Sequence, residues 1–418
     1  MHVKVVGDRV RQIAFRVAGA VLLMLAAGCA GTSASPGTDA GAAGASTAGA
    51  STTGTAPTAA GTTGPGSAAI GWRSWIIGID KSEASGVCLP TDHLLVCSVG
   101  PTGLVARSAS TGAVVWSVAA DSKNGATSGA AVDANRALTA GGRTLRAVDL
   151  ATGRTAWTKT LPAGRTFGRP AVADGVVYAA TYGATVAEPQ TLFAYRAADG
   201  AQLWQRATTE TAPVALGSRV VTVESGDRAV ARDGRTGEVI ARSDPSHPCP
   251  SLISAPGYLV CVSSPNSAGD TFPPVTLVDP DTLAFVRTLL HPGDKPDGGV
   301  IAPDGVLVLR TVNAEDSSGG GVWTAVDVRT GRTLWKSADG ETSDDVVLVG
   351  TRVVWISAGR LVSVDPRKGP HATGADAPRR SPLYPEAADG RYPDLLSHGT
   401  HVVLRTASKP TLRSVTAP

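Results

Sequence analysis

The chain has 418 residues, of which 42% are hydrophobic, 5% aromatic and 17% charged, with a formal net charge of +3. Residues 1–28 contain four basic residues and one acidic residue, so the excess positive charge lies there and the rest of the chain is neutral. A neutral domain without a stripe of lysine and arginine among aromatic residues lacks the field that attracts polyanions, which excludes nucleic acid as an expected partner.

Residues 1–28 have the pattern of a lipoprotein signal peptide. A basic stretch ending at Arg16 precedes an apolar run over residues 17–27, as in a secretory signal. The run is shorter than the roughly 20 residues that a spanning helix needs. The segment Leu25-Ala-Ala-Gly-Cys29 resembles a bacterial lipobox, with Ala26 where leucine is commonest, and this implies lipidation of Cys29 after cleavage. The alternative is an ordinary signal with a chance cysteine.

Residues 29–70 begin with Cys29 and then consist almost wholly of Ala, Gly, Ser, Thr and Pro, with Asp39 as the single charge. Such side chains bury too little apolar area to offset the entropy lost on ordering. We expect a disordered linker with an end-to-end distance of roughly 35 Å, whose composition would also suit O-glycosylation. The expected location is the extracytoplasmic face of the cell membrane, with the membrane as a partner through the lipid.

Four further cysteines form an even set, which favours disulfides in an exported chain. They are Cys88, Cys97, Cys249 and Cys261. Three pairings are possible, but each local pair flanks a plausible hairpin turn, so we expect the first to pair with the second and the third with the fourth. If Asp92 and His93 form the first turn, the two cysteines face each other at a non-hydrogen-bonded position within disulfide range. A redox dithiol or a metal site would normally have closer spacing.

A repeated pattern predicts the fold. A strand-like segment is followed by a Thr-Gly or Asp-Gly turn and, four residues after the glycine, by a tryptophan. Glycine there supplies the positive φ of a tight hairpin. The turn glycines are Gly112, Gly153, Gly200, Gly237 and Gly331, and the tryptophans are Trp116, Trp157, Trp204 and Trp335. Ala241 replaces the tryptophan in the fourth unit, and the unit at 279–287 lacks the glycine as well, so these units should pack less regularly.

Eight further strand patterns, each opened by its own turn, come ahead of such segments. A period of about 43 residues has the size of a four-stranded propeller blade. We therefore predict an all-β fold over residues 71–418, a β-propeller of eight blades, with seven as the alternative. The last unit ends after its third strand. Residues 72–77 should supply the missing outer strand and close the ring.

The strand, Thr-Gly and tryptophan pattern resembles the PQQ-like propeller repeat of quinoprotein dehydrogenases and of the lipoprotein that assists outer-membrane protein assembly. The resemblance covers residues 70–418, strongly in four units, and implies that the four repeat tryptophans pack between blades. The dehydrogenases typically carry a vicinal cysteine pair over the cofactor and long insertions that roof the site, and the chain has neither. Abundant alanine and glycine and scarce lysine resemble the composition of high-GC genomes such as those of actinobacteria.

No catalytic, cofactor or metal site is predicted. His398 and His401 at a strand entry should point to opposite faces and form a solvated turn rather than a metal pair. Asp294 and Asp297 lack the dense acidic spacing of a Ca²⁺ loop. Since a fold does not determine its ligand, we expect a non-catalytic cell-surface lipoprotein that acts as a binding or scaffold platform for a protein or cell-wall partner. The alternative is a dehydrogenase-like enzyme with a quinone cofactor.

Overall fold

A computed structural model gives the structure of most of the chain beyond residue 73. The described residues are 74–121, 127–183, 190–208, 212–224, 227–262, 272, 274–291, 295–312, 321–339, 342–384, 394–406 and 409–417. The signal peptide, Cys29, the linker, Trp72 and Asp294 lie outside them. None of the described helices is both long enough and apolar enough to cross a membrane.

The described chain folds into eight four-stranded antiparallel sheets that form an eight-bladed β-propeller. The chain begins with β1 (Ser74–Gly78) and a short helix, α1 (Lys81–Ala84). Blade 1 contains β2 (Cys88–Pro90), β3 (Leu94–Val99), β4 (Gly103–Ser108) and β5 (Val114–Val118). Blade 2 contains β6 (Gly129–Val132), β7 (Arg136–Gly141), β8 (Thr144–Asp149) and β9 (Thr155–Thr160). Blade 3 contains β10 (Thr166–Ala173), β11 (Val176–Tyr182), β12 (Gln190–Arg196) and β13 (Gln202–Thr208).

The remaining blades follow in chain order. Blade 4 contains β14 (Val214–Leu216), β15 (Arg219–Glu224), β16 (Arg228–Asp233) and β17 (Val239–Arg242). Blade 5 contains β18 (Ser251–Ala255), β19 (Tyr258–Val262), β20 (Val275–Val278) and β21 (Phe285–Leu290). Blade 6 contains β22 (Lys295–Ile301), β23 (Val306–Val312), β24 (Gly321–Asp327) and β25 (Arg332–Asp339). Blade 7 contains β26 (Thr342–Val349), β27 (Arg352–Ser357), β28 (Arg360–Val364) and β29 (Arg379–Arg380), with a 3-10 turn, η1 (Gly374–Asp376), before β29.

Blade 8 is built from both ends of the propeller sequence. It contains β30 (Asp394–His398), β31 (His401–Thr406) and β32 (Thr411–Thr416), and β1 completes it as the outermost strand. The β1–β32 ladder is antiparallel and runs from the pair Ser74 and Val415 to the pair Gly78 and Thr411. The expectation that the segment around Trp75 closes the ring is therefore confirmed. The blade number is eight, not seven.

The core lies between blades, because the second and third strands of each sheet are buried on both faces. Val308 and Trp323 of blade 6, for example, pack with Val353 and Trp355 of blade 7 in one cluster. Outermost strands instead alternate, as in β5, where Trp116 is buried between exposed neighbours. A single sheet therefore has apolar faces that only its two neighbours can cover.

The two ends of the ring differ in their connections. At one end, here called the turn end, lie the connections from first to second and from third to outermost strands. They have two to six residues, apart from 365–378. The opposite end, the loop end, carries the connections from second to third strands and from one blade to the next. Its longer connections are 79–87, 119–128, 183–189, 243–250, 263–274, 313–320 and 381–393.

Candidate binding surface and the seams between blades

Five tryptophans lie across the seams between blades at the turn end. Each ring covers the turn glycine of the next blade, so closely that a Cβ added to that glycine would lie 2.6–2.7 Å from the ring. Each indole Nε1 also donates to the carbonyl oxygen three residues before that glycine, at 2.8–3.3 Å. We call this pair of contacts a tryptophan lock. The locks are Trp75 on Gly112, Trp116 on Gly153, Trp157 on Gly200, Trp204 on Gly237 and Trp335 on Gly369.

Two partners in these locks were missed in the sequence. The sequence pattern predicts only a closing strand at Trp75, and Gly369 stands outside the Thr-Gly and Asp-Gly pattern of the other turns. The segment Asp-Pro-Arg-Lys-Gly at 365–369 has the same length and ends as Asp-Leu-Ala-Thr-Gly at 149–153. The turn spacing could therefore have identified Gly369.

The locking glycines all adopt the left-handed backbone that a non-glycine residue rarely tolerates. Gly112, Gly153, Gly200 and Gly237 have φ between 71° and 74°, and Gly331 has φ of 73°. No indole ring covers Gly331, because Arg287 of blade 5 stands at the tryptophan position. The Cδ of Arg287 would lie 3.5 Å from a Cβ added to Gly331. The turn geometry is thus independent of the tryptophan.

At the seam between blades 4 and 5, a small residue stands at the tryptophan position and a large one at the glycine position. Ala241 stands at the tryptophan position of blade 4, and Leu283 stands at the glycine position of blade 5 with a φ of 56°. Leu283 is fully buried in a cluster shared by both blades, with Ala241 packed against it. A small residue opposite a large one fills the space that a tryptophan over a glycine fills elsewhere.

Aspartates shape most of the turns between the third and outermost strands, whether or not the turn carries a lock. In blade 2, Asp149 accepts hydrogen bonds from the Thr152 hydroxyl at 2.8 Å and from the Thr152 backbone N–H at 3.0 Å. These bonds favour the carboxylate, so the Thr152 hydroxyl first and its N–H second lower the pKa of Asp149. Backbone N–H groups lower the pKa of Asp233 and Asp279 in the same way. At Asp327 the largest cause is the guanidinium of Arg367.

Arginines cross the seams at the turn end. Arg367 of blade 7 contacts Asp304 at 2.6 Å and Asp327 at 2.9 Å, both in blade 6. Arg219 of blade 4 contacts Asp281 of blade 5 at 2.7 Å. Arg136 of blade 2 donates to the carbonyl oxygen of residue 197 in blade 3 at 3.3 Å. These contacts link the turns of neighbouring blades, and the polar groups that make them are paired within the propeller.

Contacts across seams also occur at the loop end among the described residues. The clearest is at the start of connection 119–128. Arg146 of blade 2 donates to the carbonyl oxygens of Thr102 at 3.2 Å and Ala119 at 2.8 Å, both in blade 1, and pairs with Asp121. Asp121 is half exposed while Arg146 is nearly buried. The guanidinium therefore holds the start of this connection against blade 2.

A buried ion pair joins α1 to blade 1 beside the closure of the ring. Glu83 of α1 is 1% exposed and contacts Arg107 of β4 through two bonds, Nε to Oε1 at 2.6 Å and Nη2 to Oε2 at 2.8 Å. Arg107 also donates to the carbonyl oxygen of Gly112 at 3.1 Å. Asp80 caps the helix by accepting from two backbone N–H groups. The segment that follows β1 is thereby fixed onto blade 1.

His398 and His401 lie on the same face, so the expectation of opposite faces was wrong. The two residues are direct partners across the β30–β31 turn, and their ring centroids are 6.3 Å apart. A two-residue turn places its flanking residues on one side of the hairpin, whereas residues three apart in one continuous strand point to opposite faces. The Nε2 atom of His398 lies 2.9 Å from the carbonyl oxygen of Asp92 and must donate to it.

Both expected disulfides are present. Cys88 and Cys97 are register partners in β2 and β3, with Asp92 and His93 in the turn, as predicted. Cys249, in the connection from blade 4 to blade 5, bonds Cys261 of β19. All four residues are at most 2% exposed.

The described residues do not fit a quinone and calcium site of the dehydrogenase kind. All four described cysteines are used in the two disulfides, and neither bond joins adjacent residues. Across the described ranges, no group of three or more His, Cys, Asp or Glu residues is arranged to hold a metal ion. Asp297 lies in β22, and its side chain is outside the described part of the structure.

Residues 101–248, which run from blade 1 to the connection after blade 4, match the family model described as outer membrane protein assembly factor BamB. The repeat is of the PQQ-like type. No curated protein sequence matches the chain. The matched PQQ-like segment includes three of the five tryptophan locks and stops before blade 5, whose turn departs most from the pattern.

Solved structures with the same fold include BamB, an alcohol dehydrogenase and a designed protein. BamB from Moraxella catarrhalis is 16% identical, with a TM-score of 0.57 over 82% of this chain and 97% of that one. The quinohemoprotein alcohol dehydrogenase from Comamonas testosteroni is 13% identical, with a TM-score of 0.57 over 82% and 76%. The computationally designed protein Ika8 is also 13% identical, with a TM-score of 0.55 over 81% and 98%. At these identities the similarity establishes the PQQ-like propeller fold and no activity.

Proposed function

We propose that this chain is an extracytoplasmic lipoprotein, anchored through Cys29, whose propeller is a non-catalytic platform that binds a protein or cell-wall partner at its loop end. The observation that carries the proposal is the difference between the two ends of the ring. Arginine pairs and tryptophan locks engage the turn end, whereas the long connections are concentrated at the loop end. Variable loops on a rigid scaffold are the usual place for recognition.

Two further observations support this function. Buried disulfides are typical of an exported protein. The family model that matches residues 101–248 is described as an outer membrane protein assembly factor, and a role in assembly is consistent with a platform that binds a protein partner. A second candidate, a quinone-dependent dehydrogenase, is supported by the fold of the Comamonas testosteroni enzyme.

Site-specific photo-crosslinking tests where the partner binds. Ala119 at the loop end and Ala198 at the turn end are both exposed alanines, so a benzoylphenylalanine at either position perturbs little packing. In intact cells we expect a crosslinked partner from position 119 and none from position 198. Crosslinking from position 198 alone would contradict the assignment to the loop end.

Lipid anchoring and cofactor use have separate tests. We expect alkyne-labelled palmitate to be incorporated into the wild-type chain and not into Cys29→Ser, which should be released from membranes.

Incubation with PQQ and Ca²⁺ should leave the absorbance of the mixture equal to the sum of the absorbances of the purified protein and the added cofactor. Stoichiometric binding with reduction of a dye would instead establish the dehydrogenase function.

A further inference from the structure

Blade 5 is the one blade, among the eight described, that has no tryptophan lock on either side. It receives no indole ring from blade 4, because Ala241 stands in place of the tryptophan and Leu283 in place of the turn glycine. It gives none to blade 6, because Arg287 stands over Gly331. Blade 1, by contrast, receives Trp75 and gives Trp116.

The Cys249–Cys261 disulfide lies at the first of these unlocked seams. The backbone N–H of Cys249 donates to the carbonyl oxygen of Asp227 in blade 4 at 2.6 Å, while its sulfur is bonded to Cys261 in β19 of blade 5. Both cysteines belong to the cluster that contains Leu283 and the blade 4 residue Val221. The disulfide therefore ties the connection, which is hydrogen-bonded to blade 4 at Cys249, covalently to the second strand of blade 5.

We propose that blade 5 is a redox-sensitive opening point of the ring, held shut by Cys249–Cys261 in place of the tryptophan locks. A dithiol reductant would donate two electrons and two protons, cleave the sulfur–sulfur bond to two thiols and itself become a cyclic disulfide. The seam would then depend on the apolar cluster that contains Leu283, against which Ala241 packs, and on the exposed Arg219–Asp281 ion pair. Local unfolding is easiest where such contacts are fewest.

The Cys88–Cys97 disulfide is the matched control. It is as buried as the other bond and closes a loop of similar length, with sequence separations of 9 and 12 residues. It joins two strands within blade 1, which has a lock on each side. Its reduction should leave blade 1 closed.

Hydrogen exchange of the folded wild-type protein during graded reduction tests the proposal without relying on a variant that must fold. We expect peptides over residues 251–290 to exchange about tenfold faster or more once Cys249–Cys261 is reduced. Peptides over residues 88–118 should change less than about twofold when Cys88–Cys97 is reduced. Equal effects in the two blades, or unchanged exchange in blade 5, would overturn the proposal.

A rescue variant separates loss of the seam from a general loss of stability. In the background Cys249→Ala with Cys261→Ala, the added pair Ala241→Trp and Leu283→Gly should install a tryptophan lock and slow exchange over residues 251–290 again. The control is Ala241→Trp alone in the same background. Leu283 then remains where the indole ring would lie, so this variant should not slow hydrogen exchange over these residues. Failure of the double substitution to exceed the single one would count against the seam mechanism.

Discussion

The indole ring and the turn glycine act as one unit. The Trp116 ring occupies the space where a side chain at Gly153 would be, and its N–H satisfies the carbonyl oxygen of Leu150 in the same turn. The glycine is thus required twice, once for its φ of 71° and once for its missing side chain. Leu283 shows that the φ requirement can be met at a cost by another residue once the ring is absent.

Alanine substitutions can separate the two requirements. Gly142 has a φ of 51°, and a Cβ added to it would have nothing within 4 Å. For Gly142→Ala we therefore expect the free energy of unfolding to fall by about 1 kcal/mol, from backbone strain alone. Gly153→Ala adds a collision with Trp116 at 2.7 Å, and we expect about 2–4 kcal/mol. Denaturant unfolding of the two variants measures the difference. Equal losses would mean that the ring yields freely.

The pair of Glu83 and Arg107 should matter more than any surface ion pair. Glu83→Gln leaves the Arg107 charge partly buried without a counter-charge, and we expect a loss of about 3 kcal/mol in the free energy of unfolding. Asp376→Asn, which removes the exposed contact with Lys368, should have no measurable effect. Comparable results for the two variants in denaturant unfolding would show that burial does not strengthen the first pair.

At the scale of elements, closure depends on a strand that is remote in sequence from its partner. In β32, Leu412 and Val415 are fully buried, and β1 pairs with this strand along its whole length. Hydrogen bonds and apolar contacts in blade 8 form only when the two chain ends meet. The last sheet is consequently the element with the largest entropic cost of formation.

Deletion of residues 411–418 should therefore disrupt more than one strand. Without β32, β1 loses its only ladder and Trp75 loses the support that places it on Gly112. We expect the melting temperature to fall by more than about 10 °C, measured by circular dichroism. Deletion of Pro418 alone is the control and should leave the melting temperature unchanged. A small shift in the larger deletion would mean that the other seven blades close without the shared sheet.

At the scale of the whole molecule, two sets of titrating groups should produce two separate losses of stability in acid. Burial first, and His398 second, lower the pKa of His401 from its usual 6.5. The unfolded chain then binds this proton more readily than the folded one. Stability should fall as the pH drops from about 7 through the lower folded-state pKa of His401.

The turn aspartates act at lower pH. Their folded-state pKa values are lowered from 3.8, so their contribution is present above that value and is lost as the pH falls through the folded values. We expect a small loss of unfolding free energy between about pH 7 and 5 and a larger one below about pH 4. His401→Gln should remove the first loss, and substitution of the exposed His371 by Gln should not. A single loss below pH 4 in the wild type would exclude the histidine effect.

The sequence determined the architecture because every blade repeats the same local chemistry. Turn glycines such as Gly153, alternating strands and the Cys88–Cys97 hairpin depend on neighbours close in the chain, and local sequence is sufficient to specify them. The shared blade was predictable as well, since the last unit lacked one strand and the segment around Trp75 was left over.

Only the tertiary structure decided how neighbouring blades meet. Ala241 packs against the cluster that contains Leu283, 42 positions along the chain, and Glu83 is buried against Arg107, 24 positions along the chain. Cys249 lies between two blades and is hydrogen-bonded to one of them. The common face of His398 and His401 likewise followed from the hairpin register. Such pairings depend on the close packing of two sheets across a seam, and the pattern within either sheet does not contain that information.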